Sequence, residues 1–562
     1  MSEGTLRIEK IKFRTGKTPL DPPLEVNLGT VTVLVGPNNA GKSLALREIE
    51  DWCFGRDQVR KVVDTITVDF PQNPDTAEQL MREFETQPLQ NEGIPVGGFF
   101  VGQHTFRADS PVRRFQVETQ RIRNAATQQD ISILRGWLLA SYTVRFDGRT
   151  RFLLTDPKPT GDLLSHPQNH LWALFQDDDA RRRVRELTVE AFGLHFVIDP
   201  TAMTQFRVRM SRDAPKPEEE QSLNQQARNF HRAALQIQDL SDGVQAFVGL
   251  VSAVMSLPHK IILIDEPEAF LHPPLARRLG ANLTRLAQER KASLVVATHS
   301  PEFLIGCLET SDDLTVVRLT YEQGIATART LSAATLSTMM KDPLLRSTGV
   351  LRALFHRAAT VTESDTDRAF YDEINRRLLA EHRGVMDAVF ICAQNSQTVR
   401  RIVGPLREIG IPAAAIVDLD VILDNSQNWS MLLLACESPS SKGAEFESVR
   451  LGLRNEFAKL GTAADIVKSR GVYALTPPAR DEALEFLRSL ADFGLFLVPV
   501  GELERWLPQL KCSGHGPDWL VEIFGRMGLV DTDPGYLKPL PEDVWAFLDT
   551  IGKWSHKRIT GN

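Results

Sequence analysis

Eight consecutive residues, Gly36, Pro37, Asn38, Asn39, Ala40, Gly41, Lys42 and Ser43, carry the spacing GxxxxGKS. The chemistry open to such a segment is phosphate binding. Its two glycines let the backbone turn tightly enough for successive N–H groups to face one ligand, and a helix opening at Lys42 adds a favourable dipole. Lys42 then meets the β and γ phosphates, and the Ser43 hydroxyl can ligate Mg²⁺. A glycine-rich turn can arise by chance, so its context matters. The loop follows the apolar run VTVLV at 31–35 and opens an apolar-periodic segment, Leu44 to Trp52, which predicts strand, loop and helix in succession.

Two further segments suit the same chemistry. In KIILIDEPEAFLHP, residues 260–273, four apolar residues of a buried strand end in the adjacent carboxylates Asp265 and Glu266. Neighbouring acids repel, and a magnesium ion accounts for them. Asp265 can hold it directly or through water, while Glu266 is placed to polarise an attacking water. In SLVVATHSPEF, residues 293–303, a second apolar strand delivers His299 to the carboxyl edge of the same sheet, within reach of a γ-phosphate. A lone histidine at a strand end is more often only a satisfied polar group.

This order of loop, acidic strand end and histidine resembles the ABC ATPase superfamily. The resemblance makes Leu240-Ser241-Asp242-Gly243-Val244-Gln245 a variant of the LSGGQ signature. It implies that Ser241 and Gly243 face ATP held by the phosphate loop of a second copy, in a head-to-tail homodimer. The sequence after Glu266 is PEAFLHP rather than the SALD of transporters, which points to the branch of recombination, repair and defence ATPases. Gln103 is a candidate for the glutamine loop.

A second constellation lies downstream. AATVTESDTDRAFYDEINRRL at 358–378 reads as a short strand, then Glu363, Asp365 and Asp367, then an amphipathic helix, and AAAIVDLDVILD reads as a strand ending in Asp418 and Asp420. Residues two apart on a strand point the same way, so the two aspartates are expected to converge, and converging carboxylates favour a hard divalent cation. One glutamate after a first strand and DxD after a later one resemble the TOPRIM domain. Behind an ABC-type ATPase, the pattern resembles the overcoming-lysogenization-defect (OLD) family, which includes the ATPase-nuclease subunit of the Gabija antiphage system. There VTESDTD stands where the family has a VEGxTE-like sequence, with Ser364 in the glycine position. The resemblance implies metal ligation by Glu363, Asp367, Asp418 and Asp420, a late acidic residue at Glu504, and a transition-state lysine such as Lys511 or Lys553. Glu502 and Glu504 also read simply as a solvated helix start.

The elements that must position these groups imply an α/β chain of several units. A length of 562 residues exceeds one core, and 42% hydrophobic with 24% charged residues is ordinary for globular proteins. The expected organisation is an ABC-type ATPase domain over 1–347, with an inserted α+β module over about 55–230, then a TOPRIM-like α/β domain over 348–562. The stretch TVRFDGRTRFLLT at 143–155 reads as strand, and RDAPKPEEEQS at 212–222 as an exposed loop. No apolar run approaches the ~18 residues of a membrane span, the start lacks an apolar leader, and five scattered cysteines form no close pair. A cytoplasmic protein without a membrane partner is expected. Net charge of −7 requires any nucleic acid to meet a local basic surface. Candidates are Arg277/Arg278, Arg376/Arg377, Arg400/Arg401 and the run Arg181, Arg182, Arg183 and Arg185, although such runs are usually solvated helix faces.

The expected function is an ATP-bound, divalent-metal-dependent endonuclease using Mg²⁺ or Mn²⁺. Its expected substrate is DNA rather than RNA, its setting antiphage defence, and its partners a second copy, higher oligomers or another defence protein. Two alternatives stand beside it. One is a nucleotide-switched sensor or scaffold whose second domain binds without cutting, and the other is an RNA-cleaving toxin.

Overall fold

A computed structural model describes residues 4–560 except 89–92, 94–95, 108–109, 149, 165, 257, 323, 332–335, 338–339, 344–348 and 534, and leaves the side chains of 103–113 undescribed. The chain divides into two compact units, the first of Met1–Val35 and Asn39–Ala333 and the second of Gly36–Asn38 and Ala334–Asn562.

The first unit is built on a six-stranded sheet. From one edge its strands are Ile325–Leu331, Leu314–Glu322, Val31–Val35, Ser293–Ala297, Ile261–Asp265 and Thr143–Phe146. All run parallel except the first. Val31–Val35 and Ser293–Ala297 are buried along their whole length, as a parallel sheet covered on both faces demands. Helices Lys42–Cys53, Asp242–Ser256 and Pro273–Arg290 follow or precede these strands.

The stretch expected as an inserted module within this domain contributes strands to this unit's sheets. Val63–Val68 pairs antiparallel with Ile8–Phe13, and Thr143–Phe146 forms the edge of the main sheet beside Ile261–Asp265. One core cluster runs from Leu6 through Val62, Phe99 and Tyr142 to Leu263 and Ala328. The physical reason is burial: Thr143–Phe146 covers one edge of the Asp265 strand, and edge strands left bare invite unwanted pairing. Only its first four residues are extended, since Thr150–Leu153 is helical. The 212–222 stretch also departs from a plain loop, because Pro217–Glu220 forms a helical turn and Glu220 is buried, accepting from Arg185 at 2.6 Å and Arg181 at 3.2 Å.

The second unit holds a four-stranded parallel sheet in the order Ala388–Cys392, Ala358–Thr362, Ala413–Val417 and Leu495–Leu497. Helices Asp365–Leu379 and Ser396–Glu408 connect the first three strands in sequence. The long excursion before the fourth is helical, over Ser426–Ala435, Ser440–Leu460, Ala463–Arg470 and Ala479–Ala491. An aromatic core closes one face, where Tyr371, Trp506, Trp519, Trp545 and Trp554 pack together and the Trp506 indole donates to the Tyr371 hydroxyl at 3.0 Å. No helix among the described residues is long and apolar enough to cross a membrane.

Candidate functional sites

In the first unit, the phosphate loop joins Val31–Val35 to helix Lys42–Cys53. Gly41 has φ 89°, Gly36 φ 141° and Asn39 φ 60°, so the glycines occupy backbone that a side chain would strain and asparagine takes a left-handed position it tolerates well. A Cβ at Gly41 would also stand 3.2 Å from Val62. Lys42 is buried. Downstream, the Glu48 carboxylate accepts from the backbone N–H groups of Lys61, Val62 and Val63 at 2.5, 3.0 and 2.8 Å, which anchors the phosphate-loop helix to the next strand.

The Ser43 hydroxyl donates to Asp265 Oδ1 at 2.9 Å, so two groups expected to share a cation, 222 residues apart, do meet. Burial raises the pKa of Asp265, with Ser43 opposing and the Glu266 charge adding to the rise. A Mg²⁺ ion would relieve that cost, and the oxygen donor set fits it. Glu266 leaves the strand with φ 50°, its side chain half exposed, and its carboxylate stands 3.7 Å from His299 Nε2. The His299 ring is pushed down to about 4 by burial first and by the Lys42 charge second, with Asp265 opposing, so it is neutral at pH 7. The His299 backbone N–H donates to Glu268 at 2.8 Å.

Sequence reasoning missed Arg151. This side chain is fully buried, and one amino group donates to the backbone carbonyls of both Asp265 and Glu266. Burial lowers its pKa, and the charges of Glu268, Glu266 and Asp265 oppose that effect. It is a fixed cation behind the acidic strand end. Nothing local in TVRFDGRTRFLLT marks it, because its partners lie more than 100 residues away.

Ser241 and Gly243 stand at the start of helix Asp242–Ser256. A Cβ on Gly243 would lie 2.7 Å from the Phe270 carbonyl, so glycine permits this helix to close on the loop after Glu266. Gln103 lies on strand Gly98–Arg107, but its side chain is outside those described. Several arginines of the runs are engaged by neighbouring groups. Arg181 is buried and bonds Glu220, Arg277 pairs with Glu309, Arg377 donates to the carbonyls of Met527, Gly528 and Leu537, and Arg401 pairs with Asp342 at 2.5 Å.

Residues 31–305 match the family model described as "AAA domain, putative AbiEii toxin, Type IV TA system". The first unit carries an ATPase domain of the kind that this model describes. Solved structures similar to the chain include an SmcHead bound to the C-winged helix domain of ScpA, at 12% identity and TM-score 0.33, covering 59% of this chain and 99% of that one. The SMC head domain of Thermotoga maritima gives 15% and 0.28, over 57% and 98%. An Smc head with an extended coiled coil, bound to the C-terminal domain of ScpA derived from Pyrococcus furiosus, gives 11% and 0.32, over 60% and 99%. At such scores these likenesses carry no argument, and the ATPase assignment stands on the family match and the motif geometry. No curated protein matches the chain.

In the second unit, Glu363 follows the strand Ala358–Thr362 and Asp418 follows Ala413–Val417, so neighbouring parallel strands bring both to one edge. The Asp418 N–H donates to Glu363 at 2.9 Å. Burial pushes Glu363 up to about 8, with Asp420, Asp367 and Asp424 adding to the rise. Asp418 is pushed up to about 9 by burial, then by Glu363, Asp367, Asp420 and Glu502. Strand geometry is not what aligns Asp418 with Asp420, because the strand ends at Val417 and Asp420 lies in the 3₁₀ turn Leu419–Leu423. The chain turns because Leu419 and Val421 are drawn into the core. Asp367 has a second role as the third residue of a capping box, accepting from the Ser364 N–H at 2.8 Å while its own N–H donates to Ser364 Oγ at 3.1 Å.

The late glutamates are not a solvated helix start. Glu502 and Glu504 are largely buried, and with His515 they bring three ligand atoms within 4.8 Å of one another. Glu504 accepts from the Gly516 N–H at 2.8 Å, and His515 Nδ1 stands 2.7 Å from the same carboxylate. A cation at this edge is Lys468, whose ammonium lies 3.3 Å from Asp420 and whose pKa is raised by Asp420 foremost. Lys553 instead pairs with Asp549 at 3.1 Å, which corrects its expected place among the acidic groups. Among the described residues, Lys511 forms no ion pair with these acidic groups.

Proposed function

We propose that this chain is an ATP-regulated, divalent-metal-dependent endonuclease acting on DNA. The reading is supported by the meeting of Glu363 and Asp418 at one sheet edge, where the Asp418 N–H donates to Glu363 at 2.9 Å and the charges of Asp367 and Asp420 bear on both carboxylates. Half-buried carboxylates placed in this way fit a divalent cation, held by Glu363, Asp418 and Asp420, with Asp367, Glu502 and Glu504 beside them. Such a cation, when bound, stabilises charge on a phosphodiester and activates water. Glu363 would orient Asp418 through its backbone N–H, and Lys468 would offset negative charge next to Asp420. In the ATPase domain, Lys42 and the loop backbone would hold the ATP phosphates, Ser43 and Asp265 its Mg²⁺, and Glu266 the attacking water, with His299 sensing the γ-phosphate.

Two copies would close head to tail on ATP, with Ser241 and Gly243 of each facing the other's nucleotide, and that closure would set access to the nuclease site. The resemblance to the OLD family, and the toxin named in the description of the matched family, support a setting in antiphage defence. The test is cleavage of plasmid DNA, linear DNA and RNA by the wild type and by Asp418→Ala/Asp420→Ala, with Mg²⁺ or Mn²⁺, with and without ATP. DNA cutting that needs metal and disappears in the double variant is expected.

One contact favours a second reading. Lys468 already supplies Asp420 with a cation at 3.3 Å, as in a domain that binds nucleic acid or a partner without cutting it. Absence of cleavage of every substrate, with ATP-dependent retention of DNA intact, would select this reading.

A further inference from the structure

Behind the second unit's sheet lies a cavity of about 650 Å³ that the nuclease reading leaves unused. Its size falls within the range of small-molecule sites, roughly 300–1,000 Å³. Arg357 precedes the strand Ala358–Thr362 and Met386 precedes Ala388–Cys392, so the cavity sits at the amino-terminal edge of the sheet. Glu363 and Asp418 follow the other ends of the strands, about 16 Å away at ~3.3 Å per residue. The two sites are separate.

The lining is cationic on one side and apolar on the other. Arg357, Arg383, Lys553 and Lys557 contribute four permanent charges, with His382 and His556 among them, against the single carboxylate Asp549. That carboxylate pairs with Lys553 at 3.1 Å and stands 3.8 Å from Arg383, which also lies 3.6 Å from Glu381, so basic groups outnumber acidic ones in the lining. Met386 and Ile559 supply apolar surface. Ser555 lines the same cavity at 2% exposure, and its buried hydroxyl has no hydrogen-bond partner among the described residues. A buried hydroxyl left unpaired is costly, and a ligand oxygen would satisfy it. Gly552 lies so near the Gly384 backbone that a Cβ would approach its carbonyl to 2.1 Å, which holds the helix Asp543–Thr560 against the other wall.

We infer that this cavity binds a nucleoside phosphate, its phosphates among the lysines and arginines and its base against Met386 and Ile559. The site would be a second nucleotide position, independent of the phosphate loop and of any nuclease activity. The probe is ADP, titrated by equilibrium dialysis into the full-length Lys42→Ala variant, whose loop lacks its phosphate lysine. One equivalent is expected to bind, and adding Lys553→Ala and Lys557→Ala is expected to weaken it about tenfold or more, with the melting temperature unchanged. The inference is overturned if Lys42→Ala binds no ADP at millimolar concentration, or if the lysine substitutions leave its affinity unchanged. It is also overturned if they abolish retention of a short DNA duplex while ADP binding persists, because the surface would then be a nucleic-acid contact. Displacement of ADP by inorganic pyrophosphate at equal affinity would likewise remove the nucleoside from the claim.

Discussion

At the scale of single residues, the two carboxylate sites differ in what their charges cost. Asp265 meets a hydroxyl, and a buried arginine stands behind it. Replacing Glu266 by Gln should reduce ATP hydrolysis by about 100-fold or more while ATP affinity changes little, as expected for a group that acts on water rather than on phosphate. Phosphate release and a fluorescent-nucleotide titration separate the two effects. Arg151→Met should cost about 1–3 kcal/mol in urea unfolding of the first unit, because the Asp265 and Glu266 carbonyls lose a buried donor. In the second unit, Glu363 and Asp418 are raised to about 8 and about 9, so the folded protein binds more protons than the unfolded chain between pH ~4 and those values. Their contribution to stability is therefore present at low pH and is lost as pH rises toward 8–9. Melting temperature without divalent cation should fall across that window, and Glu363→Gln/Asp418→Asn should flatten the decline. Mg²⁺ should stabilise the wild type most at the alkaline end, because it favours the ionised carboxylates.

At the scale of elements, close backbone approaches hold the supporting helices. Helices Pro273–Arg290 and Pro301–Thr310 flank the strand that delivers His299, and they touch through glycines. A Cβ at Gly306 would stand 2.0 Å from the Arg277 carbonyl, and one at Gly280 would stand 2.3 Å from that of Phe303. Gly306→Ala should destabilise by about 1–3 kcal/mol through overpacking. Gly443→Ala, within helix Ser440–Leu460 and with nothing inside 4 Å of the added methyl, should stabilise by up to about 1 kcal/mol. Thermal denaturation of the two variants tests both signs. The helices and strands were themselves legible in the sequence. VTVLV and KIILID announce buried parallel strands by unbroken apolar runs, and Gly41 followed by Lys42 announces the helix start. The extended reading of 143–155 failed after Phe146 because a polar Asp-Gly turn interrupts the alternation there.

At the scale of the whole molecule, the proposed head-to-tail closure gives Ser241, Asp242 and Gly243 their role only when a second copy completes the nucleotide site. Glu266→Gln protein, which should retain ATP, is expected to double in mass by sedimentation when ATP is added, and Ser241→Arg should prevent the doubling without abolishing nucleotide binding. Persistence as a single species in both cases would remove the head-to-tail arrangement. Of the arginine candidates, Arg181 and Arg377 are buried, whereas Arg182, Arg183, Arg376 and Arg401 stay exposed in their ion pairs.

Local patterns in the chain mark the phosphate loop, Asp265, Glu266, His299 and the first members of the second acidic cluster as candidates. Each depends on a run of fewer than about fifteen residues, in which periodicity and turn chemistry act locally. Only the tertiary structure decided that Arg151 backs the acidic strand end, that Lys468 rather than Lys553 reaches Asp420, and that Glu502 and Glu504 are buried beside His515. It also decided that a four-cation cavity forms between the start of the second sheet and the last helix. Those groups meet across tens to hundreds of residues, and such meetings follow from which strands lie side by side in the sheet. Local sequence carries no record of that order.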